Sequence, residues 1–401
     1  MVENKSTSKI ITSFLQLKSY CEQEQFKGWD PYDGLNSKIF QALPFKKWDL
    51  ARLAWIQGFK RSPINFRKLL FVPKAYNAKG IALLLTGYCN LYKMADKGNT
   101  TFGAKEEILT QINFLGDLIL KMQNKNYSGA CWGYHFDWQA RRLFLFPKET
   151  PTVVATTFCF NALIEAFEIT KNDNYLTVAL SSANFVLDDL KRTPHNDGFL
   201  FSYSPIDGND TVFNASLMGA MLLSKCYSYT NNKAYIEVAK IAVRAVCKSQ
   251  KKDGSWQYGM LPVQSWIDSF HTGYNLDAIQ AYQDASNDFS FQKNIDKGFD
   301  FYIDNFFLKD GMPKYYHNKT YPIDIHCPAQ LLVTMSRLKK INDYSELAEK
   351  VTIWTIENMQ NKKGYFYYQL KKGISSKIPY MRWSNAYMFY AISHLIKPKE
   401  L

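Results

Sequence analysis

The sequence repeats a helix–turn–helix unit with a period of roughly 55 residues. In each repeat a glycine followed by aromatic residues separates two helical stretches; these glycines are Gly129, Gly198, Gly254, Gly311 and Gly364. The intervals between successive glycines are 69, 56, 57 and 53 residues. Because one such unit cannot bury its apolar face alone, each must pack against the next, which restricts the chain to a stacked or closed array of helical hairpins.

The two helices of each unit differ in how their apolar residues are distributed. The stretches before the turns are amphipathic and rich in charge; they cover residues 104–123, 175–192, 233–250, 291–307 and 344–360. The stretches after the turns are apolar nearly all round; they cover residues 153–170, 212–230, 267–285, 323–340 and 383–396, and a further one covers 79–93. A helix that is apolar all round has to be buried, so the second set predicts an inner layer and the first set an outer layer.

This alternation predicts an all-α fold, an (α/α)6 toroid in which six inner helices form a ring and six outer helices cover it. The missing outer helix is expected within residues 8–60, where GWDPYDG at 28–34 matches the other turns less clearly. We expect a single domain over residues 1–401, with 1–75 less regular. The chain shows no strand–helix alternation, which argues against an open α/β sheet, but FLFSYSP and YFYYQL alternate enough to form short strands in the inner-helix loops.

The toroid also predicts where a site would lie. Because the inner helices run parallel, their N-termini open at one end of the ring, and the Gly-aromatic turns lie at that same end. Helix N-termini carry unpaired N–H groups and a partial positive charge, so this end of the ring suits anionic groups.

The hairpin pattern resembles the α/α-toroid superfamily over essentially the whole chain beyond about residue 75. Its members include terpenoid cyclases, protein prenyltransferases, six-hairpin glycosidases, uronate lyases, glucuronyl C5-epimerases and sugar 2-epimerases. QKKDGSW at 250–256 resembles the QW repeat of triterpene cyclases. WGYHFDWQ, SWIDSFHTGYN and YPIDIHCPAQ are more similar to the carbohydrate-active members, and to uncharacterised proteins of surface-polysaccharide biosynthesis. The resemblance therefore implies a carbohydrate-active enzyme.

The terpenoid alternative lacks its characteristic motifs. The nearest approaches to the DxDD acid motif are IDGND at 206–210 and PIDIH at 322–326, and neither matches. LDDLK at 187–191 is a single acidic pair on a predicted outer helix, and the Asp/Cys/His zinc set of prenyltransferases has no counterpart. A terpenoid cyclase or prenyltransferase-like enzyme is therefore the weaker alternative.

The repeat alignment selects candidate catalytic residues at the predicted mouth of the ring. His271 and His326 lie 17 and 15 residues after their turn glycines, where two inner helices are predicted to start. Asp268 and Asp324 come just before them, and each could equally be a helix N-cap alone. The remaining candidate catalytic residues are His135 and Tyr315.

A larger set of residues is predicted to bind the substrate: Tyr134, Asp137, Arg142, Tyr203, Asn214, Trp256, Tyr258, Tyr316, Tyr368, Arg382 and Trp383. Aromatic faces stack on sugar rings, although the turn aromatics could instead pack against the outer helices. Arginine binds a carboxylate through two parallel hydrogen bonds, so Arg382 and Arg142 are the candidate carboxylate clamp. Arg142 and its neighbour Arg141 could also be solvated.

On a uronic acid these residues would carry out proton abstraction at C5. His271 or His326 would be the base, and Tyr315 or Tyr203 the acid. Return of the proton from the opposite face gives an epimerase, whereas loss of the C4 substituent gives a lyase.

Three other interpretations stay open. Adjacent inner helices lie about 8–10 Å apart, so Asp268 and Asp324 could form the carboxylate pair of an inverting glycoside hydrolase, with Asp137 as a further candidate. The histidines could bind a metal ion, but they form no HxH or HExxH motif, so we expect neither a metal nor a cofactor. A glycan-binding module without turnover is the third possibility.

The charge distribution suggests an anionic partner. The net charge is +13, and residues 1–130 hold 19 Lys and Arg against 10 Asp and Glu. This excess predicts contact with an acidic glycan or an anionic membrane surface, or simply a lysine-rich solvated surface. An arginine-rich run, an RNP motif and zinc-knuckle spacing are all missing, so a nucleic-acid partner is not expected.

The cysteines predict a cytoplasmic protein. All seven are scattered without a CxxC pair, and several lie in apolar helical patterns, which indicates reduced thiols. The first 25 residues lack the apolar region of a signal peptide, and we expect no membrane-spanning segment.

Overall fold

The computed structural model describes residues 5–139 and 145–396. Its α-helices are α1 (Lys5–Gln23), α2 (Lys38–Ala42), α3 (Asp49–Arg61), α4 (Ala78–Asp96), α5 (Lys105–Lys121), α6 (Val153–Thr170), α7 (Asp173–Asn184), α8 (Phe213–Thr230), α9 (Lys233–Cys247), α10 (Ser269–Ser286), α11 (Gln292–Phe306), α12 (His326–Arg337), α13 (Ser345–Met359) and α14 (Tyr387–Ile396). Its strands form short antiparallel pairs: β1 (Trp138–Gln139) with β2 (Leu145–Phe146), β3 (Arg192–His195) with β4 (Gly198–Phe201), and β5 (Ile323–Asp324) with β6 (Gln369–Leu370). The fold class is all-α, as predicted.

The inner helices form a closed ring. Each of α4, α6, α8, α10, α12 and α14 packs against the next in this order, and α14 packs back against α4. At the α14–α4 contact Asn90 donates a hydrogen bond to Ser393 at 2.9 Å, and the ring of Phe389 lies where a side chain on Gly87 would be. The outer layer is α5, α7, α9, α11 and α13, with α1 completing it beside α13 and α14. The predicted (α/α)6 toroid is confirmed.

The turn glycines are required by close contact with the next outer helix. A side chain on Gly129, Gly198, Gly254, Gly311 or Gly364 would collide with a backbone carbonyl of α7, α9, α11, α13 or α1, respectively. Three of the five also have positive φ, near +91° to +94°. The repeat therefore comes from one packing contact, in which each turn lies against the neighbouring hairpin.

Glutamine side chains fasten two of these turns. Gln250 donates hydrogen bonds of 2.9 Å to the carbonyls of Gly254 and Asn294, linking its own turn to α11. Gln360 repeats this arrangement with Gly364 and Ser13, linking its turn to α1. The resemblance of QKKDGSW to a QW repeat therefore reflects architecture.

Replacing Gly254 by Ala should destabilise the protein far more than replacing Gly98. Both glycines have nearly the same φ, +91° and +90°, but nothing lies within 4 Å of a Cβ on Gly98, whereas a Cβ on Gly254 meets the carbonyl of Lys297. Left-handed φ alone costs about 1–2 kcal/mol, and the collision adds about 1–3 kcal/mol. Thermal unfolding of both variants measures the difference; equal losses would show that the close contact is unimportant.

Some helix ends differ from the predictions. The outer helix predicted to reach Arg192 ends in a π-helical turn at Phe185–Asp189, because Arg192 begins β3 and pairs with Phe201.

Among the described helices, α6 has the length and apolar composition that a membrane-spanning helix needs. No segment of this kind was expected from the sequence. Helix α6 lies in the inner ring between α4 and α8, where burial on both sides accounts for its apolar sequence.

The segment between α1 and α4, residues 24–77, folds over the end of the ring where the inner helices begin, and we call it the cap. A buried ion pair organises it: Arg67 Nε donates to Asp33 at 2.6 Å, and Arg67 Nη2 donates to the carbonyl of Asp30 at 2.7 Å. A second buried ion pair joins Asp30 to Arg382, just before α14. The cap is therefore fixed to the ring by charged contacts in its interior.

Candidate active site

Polar side chains from the starts of four inner helices meet beneath the cap. Lys79 belongs to the first turn of α4, Tyr274 to the first half of α10, and His326 is the first residue of α12. Arg382 lies in the π-helical turn Met381–Ala386 that leads into α14. The end of the ring chosen from the sequence is therefore where polar groups converge.

His271 is held by the aspartate that caps its own helix. Asp268 accepts a hydrogen bond from the backbone N–H of His271 at 3.0 Å, and its other oxygen lies 2.7 Å from His271 Nδ1. The indole of Trp266 donates to that same oxygen at 3.0 Å. A carboxylate at Nδ1 places the proton there and leaves Nε2 as a proton acceptor. Asp268 is thus both a helix cap and the residue that orients His271.

His326 is held differently, in a buried hydrogen-bond chain. Its Nε2 lies 2.8 Å from the Tyr274 hydroxyl, which in turn accepts a hydrogen bond from Lys79 Nζ at 3.0 Å. Its ring stacks on Tyr387 with centroids 3.8 Å apart. Burial, followed by the positive charges of Lys79 and Arg382, lowers the pKa of His326 well below its usual range. His326 is therefore a neutral imidazole.

The two histidines share two aromatic neighbours. Phe270 has its ring centroid 4.2 Å from that of His271 and 4.8 Å from that of His326. Tyr274 lies 6.0 Å and 6.2 Å from the same two rings. His271 keeps 20% of its side-chain surface exposed, whereas His326 is buried. One imidazole therefore faces the outside and the other the interior of a single cluster.

Lys79 carries a buried amine, and this amine donates a hydrogen bond to the Tyr274 hydroxyl. Its Nζ lies 4.2 Å from the centroid of the Phe158 ring, and its residue is 3% exposed. Burial, with a smaller contribution from Arg382, lowers its pKa well below the usual range. An anionic group placed beside Lys79 would restore its charge.

Asp324 is engaged by structural hydrogen bonds. It accepts from the His326 backbone N–H at 3.0 Å, from the Trp383 indole at 2.8 Å and from Gln369 at 3.0 Å. Burial raises its pKa to about 6. Like Asp268, it accepts a hydrogen bond from a backbone N–H at the start of an inner helix and one from an indole N–H.

Arg382 corrects one prediction. Both Nε and Nη2 are taken by the carboxylate of Asp30, at 2.5 Å and 2.8 Å, in a buried bidentate pair. The guanidinium also lies over the rings of Tyr134 and Trp383, 5.0 Å and 5.1 Å from their centroids. Arg382 therefore clamps a carboxylate of the protein, and not one of a substrate. Arg141 and Arg142 lie outside the described residues.

Two further predicted substrate contacts belong to the packing interior. Trp256 is 2% exposed, and its indole donates to the Val246 carbonyl at 3.1 Å. Tyr368 is 1% exposed and packs on Tyr380, with centroids 5.1 Å apart. The indole of Trp256 packs in the helical core, and the ring of Tyr368 is buried in a cluster with Ile378 and Tyr380.

Several residues that were predicted to be catalytic or to bind substrate lie in or near the turn that begins at Gly129. The hydroxyls of Tyr134 and Tyr203 lie 3.3 Å apart, and His135 Nδ1 lies 3.1 Å from the amide of Asn77, the cap residue of α4. Burial lowers the pKa of His135 to about 4. Asp137 accepts from the Lys148 backbone N–H at 2.7 Å and so closes the β1–β2 hairpin.

Other predicted residues surround His271. Tyr258 stacks on Trp266 at 4.5 Å and lies 4.6 Å from the His271 ring. Tyr315 contacts Phe270 at 5.6 Å and Tyr316 at 4.5 Å. At the start of α8, Asn214 is 3% exposed and its Oδ1 has no hydrogen-bond partner among the described residues.

Sequence reasoning missed Lys79, Tyr274 and Asp30. Lys79 lies at the start of the inner helix whose preceding turn has no clear repeat signature. Tyr274 lies in the apolar pattern of an inner helix and was not distinguished from its neighbours. Asp30 acts on Arg382 across 352 residues. Asp30 lies within the GWDPYDG turn at 28–34, and this weak turn signature was its signal in the sequence.

Below the cluster the ring is closed. A cavity of about 20 Å³ lies between residues of the inner helices, including Asn161, Asp277, Arg337 and Tyr390. Such a volume holds about one water molecule. Within residues 5–139 and 145–396, no three His, Cys, Asp or Glu side chains come together as metal ligands. On the cap side, His271 keeps 20% of its side-chain surface exposed and is where an approaching ligand would meet the cluster.

Comparison with known proteins identifies the fold. No protein-family profile matches the sequence, and no curated protein matches it. The cellobiose 2-epimerase of Bacillus thermoamylovorans B4167 has a similar structure, with a TM-score of 0.61, 14% identity, and coverage of 81% of this chain and 90% of that one. An unsaturated glucuronyl hydrolase specific for heparin superposes with a TM-score of 0.59 and 12% identity, covering 98% and 97%.

A third similar structure is the GH76 α-mannanase BT2949 of Bacteroides thetaiotaomicron, with a TM-score of 0.56, 14% identity, and coverage of 80% of this chain and 86% of that one. All three are named as sugar-processing enzymes, and they share with this chain a ring of helical hairpins. The chain therefore has the α/α-toroid fold that these solved structures share.

Proposed function

We propose that the protein is a carbohydrate-active enzyme that transfers a proton at a sugar carbon, as an epimerase or a lyase. The observation that carries this proposal is the pair of histidines around Phe270 and Tyr274, one oriented by Asp268 and the other linked to Tyr274 and Lys79. Both reactions need a base that removes a proton from carbon and an acid, which returns a proton to the opposite face of that carbon in an epimerase and protonates the leaving oxygen at C4 in a lyase. Structural similarity to a cellobiose 2-epimerase and to a D-mannose isomerase supports the same class.

The roles follow from the hydrogen bonds. His271 has its proton fixed on Nδ1 by Asp268, so Nε2 can accept a proton from carbon. Tyr274 lies between His326 and Lys79 and can deliver a proton. Negative charge that develops on the substrate oxygen would be stabilised by Lys79, which has no hydrogen bond to a carboxylate among the described residues.

We further propose that the substrate is anionic, as a uronic acid or a negatively charged saccharide. Lys79 supports this, because an anionic group is what would offset the cost of charging a buried amine. A role in surface-polysaccharide metabolism rests on the sequence resemblance alone. A cytoplasmic location is supported by the cysteines, all seven of which are buried free thiols.

Hydrolysis is the second candidate, favoured by the pKa of about 6 at Asp324, which suits a general acid. The hydrogen bonds argue against it. Asp268 and Asp324 are both less than 3% exposed, and both use their oxygens to hold an indole and a helix start. A hydrolytic pair would need free carboxyl groups on either side of a sugar.

Incubation with uronic-acid and neutral oligosaccharides in D2O tests the proposal. Deuterium entering a C–H position without cleavage identifies an epimerase, and an unsaturated, ultraviolet-absorbing product identifies a lyase. New reducing ends without unsaturation would identify a hydrolase and contradict the proposal. A lack of change across the whole panel would contradict it as well.

A further inference from the structure

The outward face of the cap combines exposed apolar side chains with a dense positive charge. Among its exposed apolar residues, which also include Ile64 and Phe66, are Ile39, Trp48, Leu50, Leu69 and Phe71, with exposed fractions of 41%, 69%, 70%, 71% and 60%. We call these five residues the cap surface. Large side chains this exposed are unusual in a soluble domain unless they bind something.

The segments that carry the cap surface lie close together. The Lys38 backbone N–H donates to the carbonyl of Phe71 at 3.5 Å, which places Phe71 beside the start of α2. Phe40 in α2 contacts Phe45 at 6.5 Å between centroids, and Phe45 contacts Trp48 at 6.3 Å. Through the buried ring of Phe40, these contacts bring α2, the 69–71 segment and the start of α3 close together.

Helix α3 presents an unusual exposed face. Leu50, Ala54, Gly58 and Arg61 are the exposed residues at helical spacing, and the first three carry no charge. The solvent face of an ordinary surface helix is polar or charged. Between the exposed charged residues at its two ends, Asp49 and Arg61, the exposed side of α3 is thus uncharged.

Positive charge surrounds this apolar patch. Residues 38–74 contain nine Lys and Arg and one acidic residue, Asp49, which pairs with Arg52. Among the basic residues, Lys46 and Lys47 are exposed directly before Trp48. Tryptophan next to lysine, with leucine and phenylalanine nearby, is the composition of protein segments that lie in the interface of an anionic bilayer.

We propose that the cap surface docks on an anionic lipid bilayer. Apolar side chains would enter the headgroup region, and the surrounding lysines would face the lipid charge. Because the cap covers the end of the ring where the candidate site lies, docking brings that end towards the membrane. This inference rests on the surface alone and stands apart from the proposed reaction.

Vesicle flotation tests the proposal. The protein should bind vesicles of phosphatidylcholine with about 30 mol% phosphatidylglycerol at least tenfold better than pure phosphatidylcholine, and lose this preference as NaCl rises from about 0.1 M to about 0.5 M. Equal binding to both vesicles, or no binding to either, would overturn the proposal.

Matched variants locate the contact. Trp48→Ser with Leu50→Ser should weaken binding at least tenfold, whereas Phe289→Ser, which changes a residue 60% exposed between α10 and α11, should leave binding unchanged. Lys46→Glu with Lys47→Glu should weaken binding more than the equal charge change Lys97→Glu with Lys233→Glu at the other end of the ring. Wild-type binding by the cap variants would overturn the proposal. It would also be overturned if the protein does not bind vesicles but forms a dimer in solution, and the Trp48→Ser with Leu50→Ser variant is a monomer.

Discussion

Replacing His271 by Gln is expected to slow deuterium incorporation into the substrate by about 100- to 10,000-fold, the range lost when a general base is removed. Glutamine keeps the size and polarity of the side chain but cannot accept a proton from carbon. Asp268 would still cap α10 through its bond to the backbone N–H of residue 271, so the fold should survive. The measurement is the exchange rate in D2O on whichever oligosaccharide the wild-type protein labels.

His195→Gln is the matched control, because His195 is partly exposed in β3 and lies within hydrogen-bonding distance of Ser249, at 2.6 Å. It should retain the wild-type exchange rate. Asp268→Asn tests the orienting role: it should lower the rate and change its pH dependence, since the amide no longer fixes the proton on Nδ1. Full activity of His271→Gln would show that His271 is not the base.

Replacing Asp33 by Ala should be the most damaging change to stability, with a loss of about 3–5 kcal/mol. The substitution leaves Arg67 buried and without its carboxylate, and the side chains of both residues have 0% exposure. A buried charge without a partner is far more costly than the loss of an exposed ion pair. Thermal unfolding measures the loss, and proteolysis within the cap should increase.

Two controls separate this effect from a general one. Asp96→Ala removes a partner of Lys105 from a largely exposed pair and should cause no measurable change. Asp33→Ala combined with Arg67→Met removes both charges and should recover much of the stability, because apolar side chains often replace a buried pair without loss. If Asp33→Ala is as stable as the wild-type protein, the ion pair does not hold the cap.

The ring could be predicted because it depends on local patterns. Helix burial and turn spacing are visible in the sequence, and Gly254 and Gly364 occupy their turns for the same packing reason. His271 and His326 could be placed at helix starts by counting from those turns. Their neighbours Asp268 and Asp324 each accept a hydrogen bond from a backbone N–H at a helix start and also bind a side chain, His271 and Trp383 respectively. Spacing alone could not separate these two roles.

The rest of the site depends on long-range contacts. Arg382 looked like a substrate clamp because its partner, Asp30, lies 352 residues earlier and in a different type of segment. Lys79 was not selected as a candidate, since only the closed ring brings it against Phe158 and Tyr274. Trp256 was predicted to bind substrate because aromatic residues at turns can face a site or pack between helices.

The position of α1 has a consequence for synthesis on the ribosome. This helix binds α13 and the turn before α14, with Ser13 donating to Gln360 at 2.6 Å across 347 residues. At about 5–20 residues per second, the ribosome needs roughly 20 to 70 s to make the residues between them. During that time α1 can contact Phe102 and Tyr88 but lacks its partners in α13 and α14, and the ring stays open between its first and last hairpins. The nascent chain should therefore be a substrate for molecular chaperones until its final helix emerges.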